Sequence, residues 1–120
     1  MEDVLGILIG HVKKHSGHYV GRPSVLGNPA SHKAGTASIR VDTVREAVMM
    51  YDALMRSWMS DASSPQRAEV LRLARVCYDN DEDLTLLCWC SHQLRAPLDP
   101  PACHADVIAR EISRVMKEML

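Results

Sequence analysis

The spacing of apolar and polar residues predicts three strands and three helices. Three short apolar runs, bounded by polar or glycine residues as buried strands are, cover residues 4–12, 19–20 and 84–90. Three longer segments, in which apolar side chains recur at helical intervals, cover residues 43–59, 65–78 and 102–119. The predicted order β-β-α-α-β-α, in a single domain over residues 1–120, favours an open α/β fold with the helices packed on the sheet.

The predicted helices also carry local signals. Thr43 and Glu46 form a capping box, in which the hydroxyl and the carboxylate each accept a hydrogen bond from the other residue's backbone N–H. Ser64, followed by proline, is typical of the start of the second helix. Cys77 falls on the apolar face of that helix and is predicted to lie in the core. The acidic run 79–83 lacks the glycine and the final glutamate of a calcium loop, so it predicts a turn.

Three of the four cysteines, Cys88, Cys90 and Cys103, lie in one stretch, residues 84–106. The same stretch contains His92 and His104. Side chains two residues apart share a face of a strand. Cys88 and Cys90 are therefore predicted to point the same way, with Trp89 on the opposite face. A proline-rich spacer then leads to Cys103 and His104, in the first turn of the last helix. This arrangement indicates a chemical site at the junction of strand and helix.

A second informative stretch is the loop 21–29, GRPSVLGNP, whose glycines, prolines and asparagine force the backbone to turn repeatedly. Glycine lets a ligand approach the main chain, exposed N–H groups can cradle an anion, and Arg22 could donate two hydrogen bonds to phosphate or carboxylate. In open α/β sheets, ligands bind beyond the carboxyl ends of the strands. We therefore predict that Arg22–Asn28 lies beside Cys88–Cys90 and the start of the last helix.

Charge is distributed unevenly along the chain. No acidic residue occurs between Asp3 and Asp42, so residues 1–41 carry five basic and two acidic side chains, whereas residues 42–120 carry nine basic and thirteen acidic ones. A region this poor in carboxylates could hold a small anionic or nucleotide-type ligand, although a solvated basic loop has the same composition. The sequence pI of about 6.6 argues against duplex DNA as the partner.

Composition also indicates the cellular location and the state of the cysteines. No apolar run could span a bilayer, and the N-terminus lacks the pattern of a signal peptide, so a cytoplasmic protein without membrane contact is expected. Because cytosolic thiols stay reduced, the four cysteines favour core packing, metal binding or thiol chemistry over disulfides. The chain has seven methionines and no phenylalanine; methionines could provide an adaptable homodimer interface, but core filling is the favoured explanation.

Four blocks of the chain, in order, resemble a family of small uncharacterised proteins of bacteria and their phages. The blocks are YVGRPSVLGNP at 19–29, REAVMMY at 45–51, LLCWC at 86–90 and CHADVI at 103–108. The family is described as a domain of unknown function, and the resemblance implies a small Rossmann-like fold of three layers, similar to proteins that bind nucleotides. The twelve-residue spacer between CWC and CH is longer than in the relatives, which weighs against a tight metal geometry.

The first functional hypothesis is a nucleotide-type ligand site, with or without hydrolase or transferase activity. The loop and the start of the last helix would hold phosphate. The candidate ligand-binding residues are Gly21, Arg22, Gly27, Asn28 and Arg45. The candidate catalytic residues are Cys103, His104 and Asp106, of which the last two could act as acid or base.

The second hypothesis is a zinc site formed by Cys88, Cys90, Cys103 and His104, a donor set that suits tetrahedral Zn²⁺. Against it, C-x-C with an adjacent C-H is not a common finger spacing. The third is thiol chemistry, with Cys103 as a nucleophile or as the redox partner of Cys88 or Cys90, because a helix N-terminus lowers the pKa of a thiol. In the simplest alternative, all three cysteines are buried packing residues. A role in protein–protein interaction is compatible with each hypothesis.

Overall fold

The computed structural model describes residues 6–31, 39–80 and 82–119, and these ranges contain a three-stranded parallel sheet. Strand β5 (Leu84–Cys88) lies at its centre, between β1 (Ile7–His11) and β2 (His18–Tyr19). The register pairs Ile7 with Leu84 and His11 with Cys88. Four of the five residues of β1, and four of the five of β5, are buried, as expected for the apolar runs from which both strands were predicted.

A second parallel pair is formed by β3 (Ala30–Ser31) and β4 (Ile39–Arg40). The sequence did not predict either strand, because two residues are too few to show an alternating pattern. The pair lies after the glycine-rich loop and contacts the first helix. The loop 21–29 is therefore fixed at both ends, by β2 before it and β3 after it.

Three helices of similar length complete the fold: α1 (Val44–Met59), α2 (Pro65–Asn80) and α3 (His104–Met119). The capping box at the start of α1 is confirmed, since Thr43 accepts from the Glu46 N–H and the Glu46 carboxylate accepts from the Thr43 N–H. Ser64 accepts from the Arg67 N–H at the start of α2. That helix extends through Asn80. It therefore includes the first two residues of the acidic run 79–83, which was predicted to be a turn.

The core forms where α3 meets the sheet and the other two helices. Helix α3 packs against β1 and β5 on one side and against α1 and α2 on the other. The largest fully buried apolar side chains come from every layer, and they include Ile9, Tyr51, Met55, Leu73, Leu86, Ile108 and Ile112. Cys77 is a core residue, as predicted, and its thiol donates to the Glu82 carbonyl. The mixed α/β fold predicted from the sequence is confirmed.

Candidate functional site

Strand β5 ends two residues earlier than predicted, at Cys88, and the chain turns at Trp89 and Cys90. The prediction that Trp89 faces away from Cys90 is therefore wrong, because the alternation of faces holds only within an extended strand. Instead, Trp89 and Cys90 both line one cavity, while Cys88 is fully buried behind them. The turn brings the side chain of Cys90 back towards Cys88.

Three sulfur atoms meet at this turn. The Sγ atoms of Cys88, Cys90 and Cys103 all lie within 4.8 Å of one another, and those of Cys88 and Cys103 are 3.6 Å apart. All three cysteines are reduced; two are buried, and Cys90 is exposed. Two thiolates bound to one tetrahedral zinc ion lie about 3.8 Å apart, given a Zn–S bond of about 2.3 Å. The sulfur atoms are thus close to the separation that a zinc ion requires.

The twelve-residue spacer does not prevent this geometry, contrary to the expectation from its length. Its residue Arg95 pairs with Ile9 in an antiparallel bridge, through N–O contacts of 2.7 and 2.9 Å. Its guanidinium group also forms an ion pair of 2.7 Å with Asp106. These two attachments hold the spacer against β1 and α3, so that Cys103 returns to Cys88.

The Asp106 carboxylate uses all of its hydrogen-bonding capacity to hold the spacer against the start of α3. It accepts five hydrogen bonds, two from the Arg95 guanidinium and one each from the backbone N–H groups of Leu98, Ala102 and Cys103. Its side chain is completely buried and does not line the cavity beside the cysteines. Two N–H groups at the start of α3, where a phosphate was predicted to bind, are therefore already occupied by a carboxylate.

His104 is oriented by a backbone contact. Its Nε2 atom lies 2.9 Å from the Val20 carbonyl oxygen, and its Nδ1 atom lies 3.8 Å from the Sγ atom of Cys103. Burial lowers the pKa of His104 below that of an ordinary histidine, so the ring is neutral at pH 7. Since the carbonyl oxygen can only accept, Nε2 carries the proton and Nδ1 presents its lone pair on the side of Cys103.

Hydrogen bonding shifts the pKa values of the three thiols in different directions. The hydrogen bond from Cys103, together with one from Cys90, lowers the pKa of Cys88. The same two interactions and burial raise the pKa of Cys103. Hydrogen bonding to Cys103 lowers the pKa of Cys90, but its interaction with Cys88 and its burial outweigh that effect and raise it. Of the three thiols, Cys88 is therefore the one whose ionised form the cluster favours.

A cavity of about 240 Å³ opens beside the sulfur cluster. It joins the two motifs that the sequence predicted to be neighbours, since residues of the glycine-rich loop, of α1 and of the cysteine turn all contribute to its wall. The lining residues are Gly21, Arg22, Asn28, Ala30, Ser31, Val44, Ala47, Val48, Trp89, Cys90, Ala102, Cys103 and His104. Within this set, Arg22 is the only permanently charged side chain.

The loop residues chosen from the sequence have different roles in the structure. Asn28 is buried and ties the loop to α1, donating to the Ala47 carbonyl while it accepts from the Ala30 N–H. A Cβ atom at Gly27 would lie 2.8 Å from the Cα of Arg22, so glycine is needed there for close packing. A Cβ at Gly21 would likewise lie 2.5 Å from the Tyr19 hydroxyl oxygen.

The two candidate arginines occupy different environments. The guanidinium group of Arg22 donates to the Asn28 carbonyl at 2.6 Å and lies on the cavity wall. Arg45 is exposed on the first turn of α1 and does not line the cavity. The structure thus brings together Arg22, Asn28, Cys90, Cys103 and His104, but not Arg45.

Sequence reasoning missed two site residues, Trp89 and Arg95. Trp89 was assigned to the opposite face because its strand was predicted to be two residues longer. Arg95 lies in a proline-rich spacer without periodicity, and its pairing with Ile9 and Asp106 depends on the tertiary fold. The motif CWC drew attention to the position of Trp89, but neither residue carried a pattern that would have indicated its role.

Comparison with known proteins agrees with the resemblance seen in the four sequence blocks. No curated protein and no solved structure matched the chain. The family profile described as a domain of unknown function, DUF4326, matches residues 9–114. This range includes the glycine-rich loop, all four cysteines and most of α3. The chain therefore belongs to the DUF4326 family.

Proposed function

We propose that this protein binds one zinc ion through Cys88, Cys90 and Cys103, with His104 as the fourth ligand. The observation that carries this proposal is the three sulfur atoms lying within 4.8 Å of one another. Structural zinc sites in proteins are tetrahedral and use sulfur and imidazole ligands in combinations that include three cysteines and one histidine. With four protein ligands the zinc ion would have no open coordination position, so it would stabilise the fold beside the cavity.

The environment of His104 supports its assignment as the fourth ligand. Histidines that bind metal usually donate the other ring N–H to a carbonyl or carboxylate, and His104 has the Val20 carbonyl in that place. A nitrogen and a sulfur on one tetrahedral zinc ion lie about 3.6 Å apart. The distance of 3.8 Å from Nδ1 to the Cys103 Sγ atom is close to that value. His104 lies outside the compact group of three sulfurs, so its ring would have to turn towards the other two sulfur atoms to complete the site.

Thiol catalysis is less well supported by the same residues. A nucleophilic cysteine must be partly exposed and deprotonated. Cys103 is buried and its pKa is raised, whereas Cys88, whose pKa is lowered, is fully buried. Only Cys90 is exposed, and its pKa is also raised. No single cysteine combines access with thiolate character.

Metal analysis tests the zinc proposal directly. Protein purified without a histidine tag or chelator is expected to contain about one zinc per chain, and Cys90→Ser is expected to lose most of it, because one of four ligands is removed. Cys77→Ser is the matched control, since this core cysteine lies outside the group, and it should retain full zinc content. Binding of Co²⁺ with the absorption bands of a tetrahedral thiolate complex would support the ligand set. Metal-free protein with four titratable thiols, which takes up no added zinc, would overturn the proposal.

A second function is favoured by Arg22, the permanent charge on the cavity wall. We propose that the cavity binds a small anion of the nucleotide type, with the guanidinium group of Arg22 contacting phosphate. Five of the residues that line the cavity, from Gly21 to Ser31, come from the stretch between Asp3 and Asp42, which contains no acidic residue. Because the Asp106 carboxylate accepts five hydrogen bonds, it has no free position for proton transfer. Binding is therefore proposed here, and hydrolysis or group transfer would need another base.

Replacing Arg22 with methionine is expected to weaken binding of inorganic phosphate or adenosine 5′-monophosphate about tenfold or more, because a charge-assisted hydrogen bond is lost. Arg45→Met removes the same charge from a position outside the cavity and should leave the affinity within about twofold. Titration calorimetry measures both, and thermal melting checks that Arg22→Met remains folded. Equal losses in the two variants would show non-specific charge attraction, and the cavity site would be rejected.

A further inference from the structure

Trp89 stands at the edge of the cavity with 54% of its surface exposed. An exposed side chain of this size is normally mobile, but this indole is held by its polar atom. Its Nε1–H donates to the Tyr19 hydroxyl oxygen at 3.0 Å, and that hydroxyl donates to the Arg22 carbonyl at 2.6 Å. The aromatic ring is thereby connected to the same loop that presents the Arg22 side chain.

Two further contacts fix the indole, one with the His11 ring and one with the Lys13 ammonium group. The His11 ring meets it edge-on with centroids 5.7 Å apart, and His11 is itself stacked on His92 at 4.8 Å. The Lys13 ammonium group lies 5.4 Å from the Trp89 ring centroid. The result is an exposed, oriented aromatic surface with cations close by. This combination reduces the entropy lost when a flat ring binds, because the indole is already in place.

From this arrangement we propose that the ligand of the cavity is a single nucleotide, whose base stacks on Trp89 while its phosphate contacts Arg22. This inference rests on the proposed anion-binding function and adds the recognition of a base to it. Stacking on tryptophan suits any nucleobase, since each has a flat π surface. Lys13 supplies a further positive charge close to the ring, which complements a phosphate or an electron-rich base.

The size and charge of the cavity decide among alternative occupants. Its volume of about 240 Å³ lies below the range of about 300–1,000 Å³ for drug-sized ligands, so it holds one small group, and the rest of a nucleotide would lie at its edge, beside Trp89. A cationic ligand such as a quaternary ammonium group would also bind an aromatic ring, but Arg22 and Lys13 would repel it. A purely apolar ligand would leave the Arg22 charge without a partner.

Three probes separate base recognition from phosphate recognition: adenosine 5′-monophosphate, ribose 5-phosphate, which lacks the base, and adenosine, which lacks the phosphate. Binding is followed by fluorescence in a Trp58→Phe background, where Trp89 is the only tryptophan, and by calorimetry in the wild-type protein. Adenosine 5′-monophosphate is expected to quench Trp89 and to bind about tenfold to a hundredfold more tightly than ribose 5-phosphate. Trp89→Ala should abolish that difference, whereas Trp89→Phe should preserve most of it.

The outcomes distinguish this inference from the function on which it rests. If both phosphates bind with equal affinity, anion binding is retained and the base-stacking inference is overturned. If none of the probes binds, both are overturned. If a single-stranded decanucleotide binds far more tightly than the mononucleotide and Trp89→Ala affects both equally, the ligand is a nucleic acid strand and the single-nucleotide assignment is wrong.

Discussion

Replacing Asp106 with alanine is expected to lower the free energy of unfolding by about 3–5 kcal/mol, as the removal of one partner of a buried ion pair commonly does. The carboxylate is completely buried and neutralises Arg95, which is itself about three-quarters buried. It also accepts hydrogen bonds from three backbone N–H groups, one in the spacer and two at the start of α3. A small domain has only about 5–15 kcal/mol of stability, so this one change should remove a large fraction of it.

Urea denaturation measures the effect, with Glu118→Ala as the control because Glu118 is an exposed acid on the same helix. The control should change stability by less than about 0.5 kcal/mol. Arg95→Met and the double variant complete a mutant cycle that isolates the ion pair. If Asp106→Ala does not fold, Asp106→Asn takes its place. It should be destabilised to an intermediate extent, since one amide oxygen can still accept. A loss below about 1 kcal/mol for Asp106→Ala would contradict the role assigned to this carboxylate.

Removing zinc is expected to lower the melting temperature by about 10 °C or more. A ligand present at about a thousand times its dissociation constant contributes about 4 kcal/mol, which corresponds to a shift of this order in a domain of 120 residues. The measurement is thermal melting of the zinc-loaded protein with and without a chelator. Zinc uptake should also release protons, because the pKa values of Cys90 and Cys103 are raised and both thiols must ionise to bind metal.

Two variants make the chelator experiment specific. Cys77→Ser should respond to chelator as the wild-type protein does, because its thiol lies outside the sulfur group. Cys90→Ser should melt at the same temperature with and without chelator, since it has already lost a ligand. Identical melting of wild-type protein in zinc and in chelator would show that the metal does not stabilise this fold.

The sequence predicted those parts of the fold that depend on neighbouring residues. The capping box follows from the motif formed by Thr43 and Glu46, and the core position of Cys77 follows from helical periodicity; both are confirmed. The proximity of Arg22 to Cys90 was also predicted, because parallel strands end on one edge of a sheet and both residues follow strands. Local pattern and a general rule of topology together were enough to locate the cavity.

The features that the sequence did not predict depend on contacts between distant segments. Cys103 meets Cys88 only because Arg95 is anchored to Ile9, and no spacing in the sequence shows that pairing. Asp106 was predicted to act as an acid or base, and only its five hydrogen bonds reveal that it is fully engaged. The orientation of Trp89 depends on where β5 ends, and an apolar run does not specify the end of a strand to within two residues.

The order of strands in the main sheet bears on how the chain folds during its synthesis. The central strand β5 pairs with both β1 and β2, so Ile7 cannot find its partner until Leu84 has left the ribosome. Until then the two early strands have no neighbour in this sheet, and their apolar side chains and unpaired backbone groups are open to association with other chains. The sulfur cluster forms later still, when Cys103 emerges. The proposed metal ligands are therefore complete only after all three strands of this sheet have emerged.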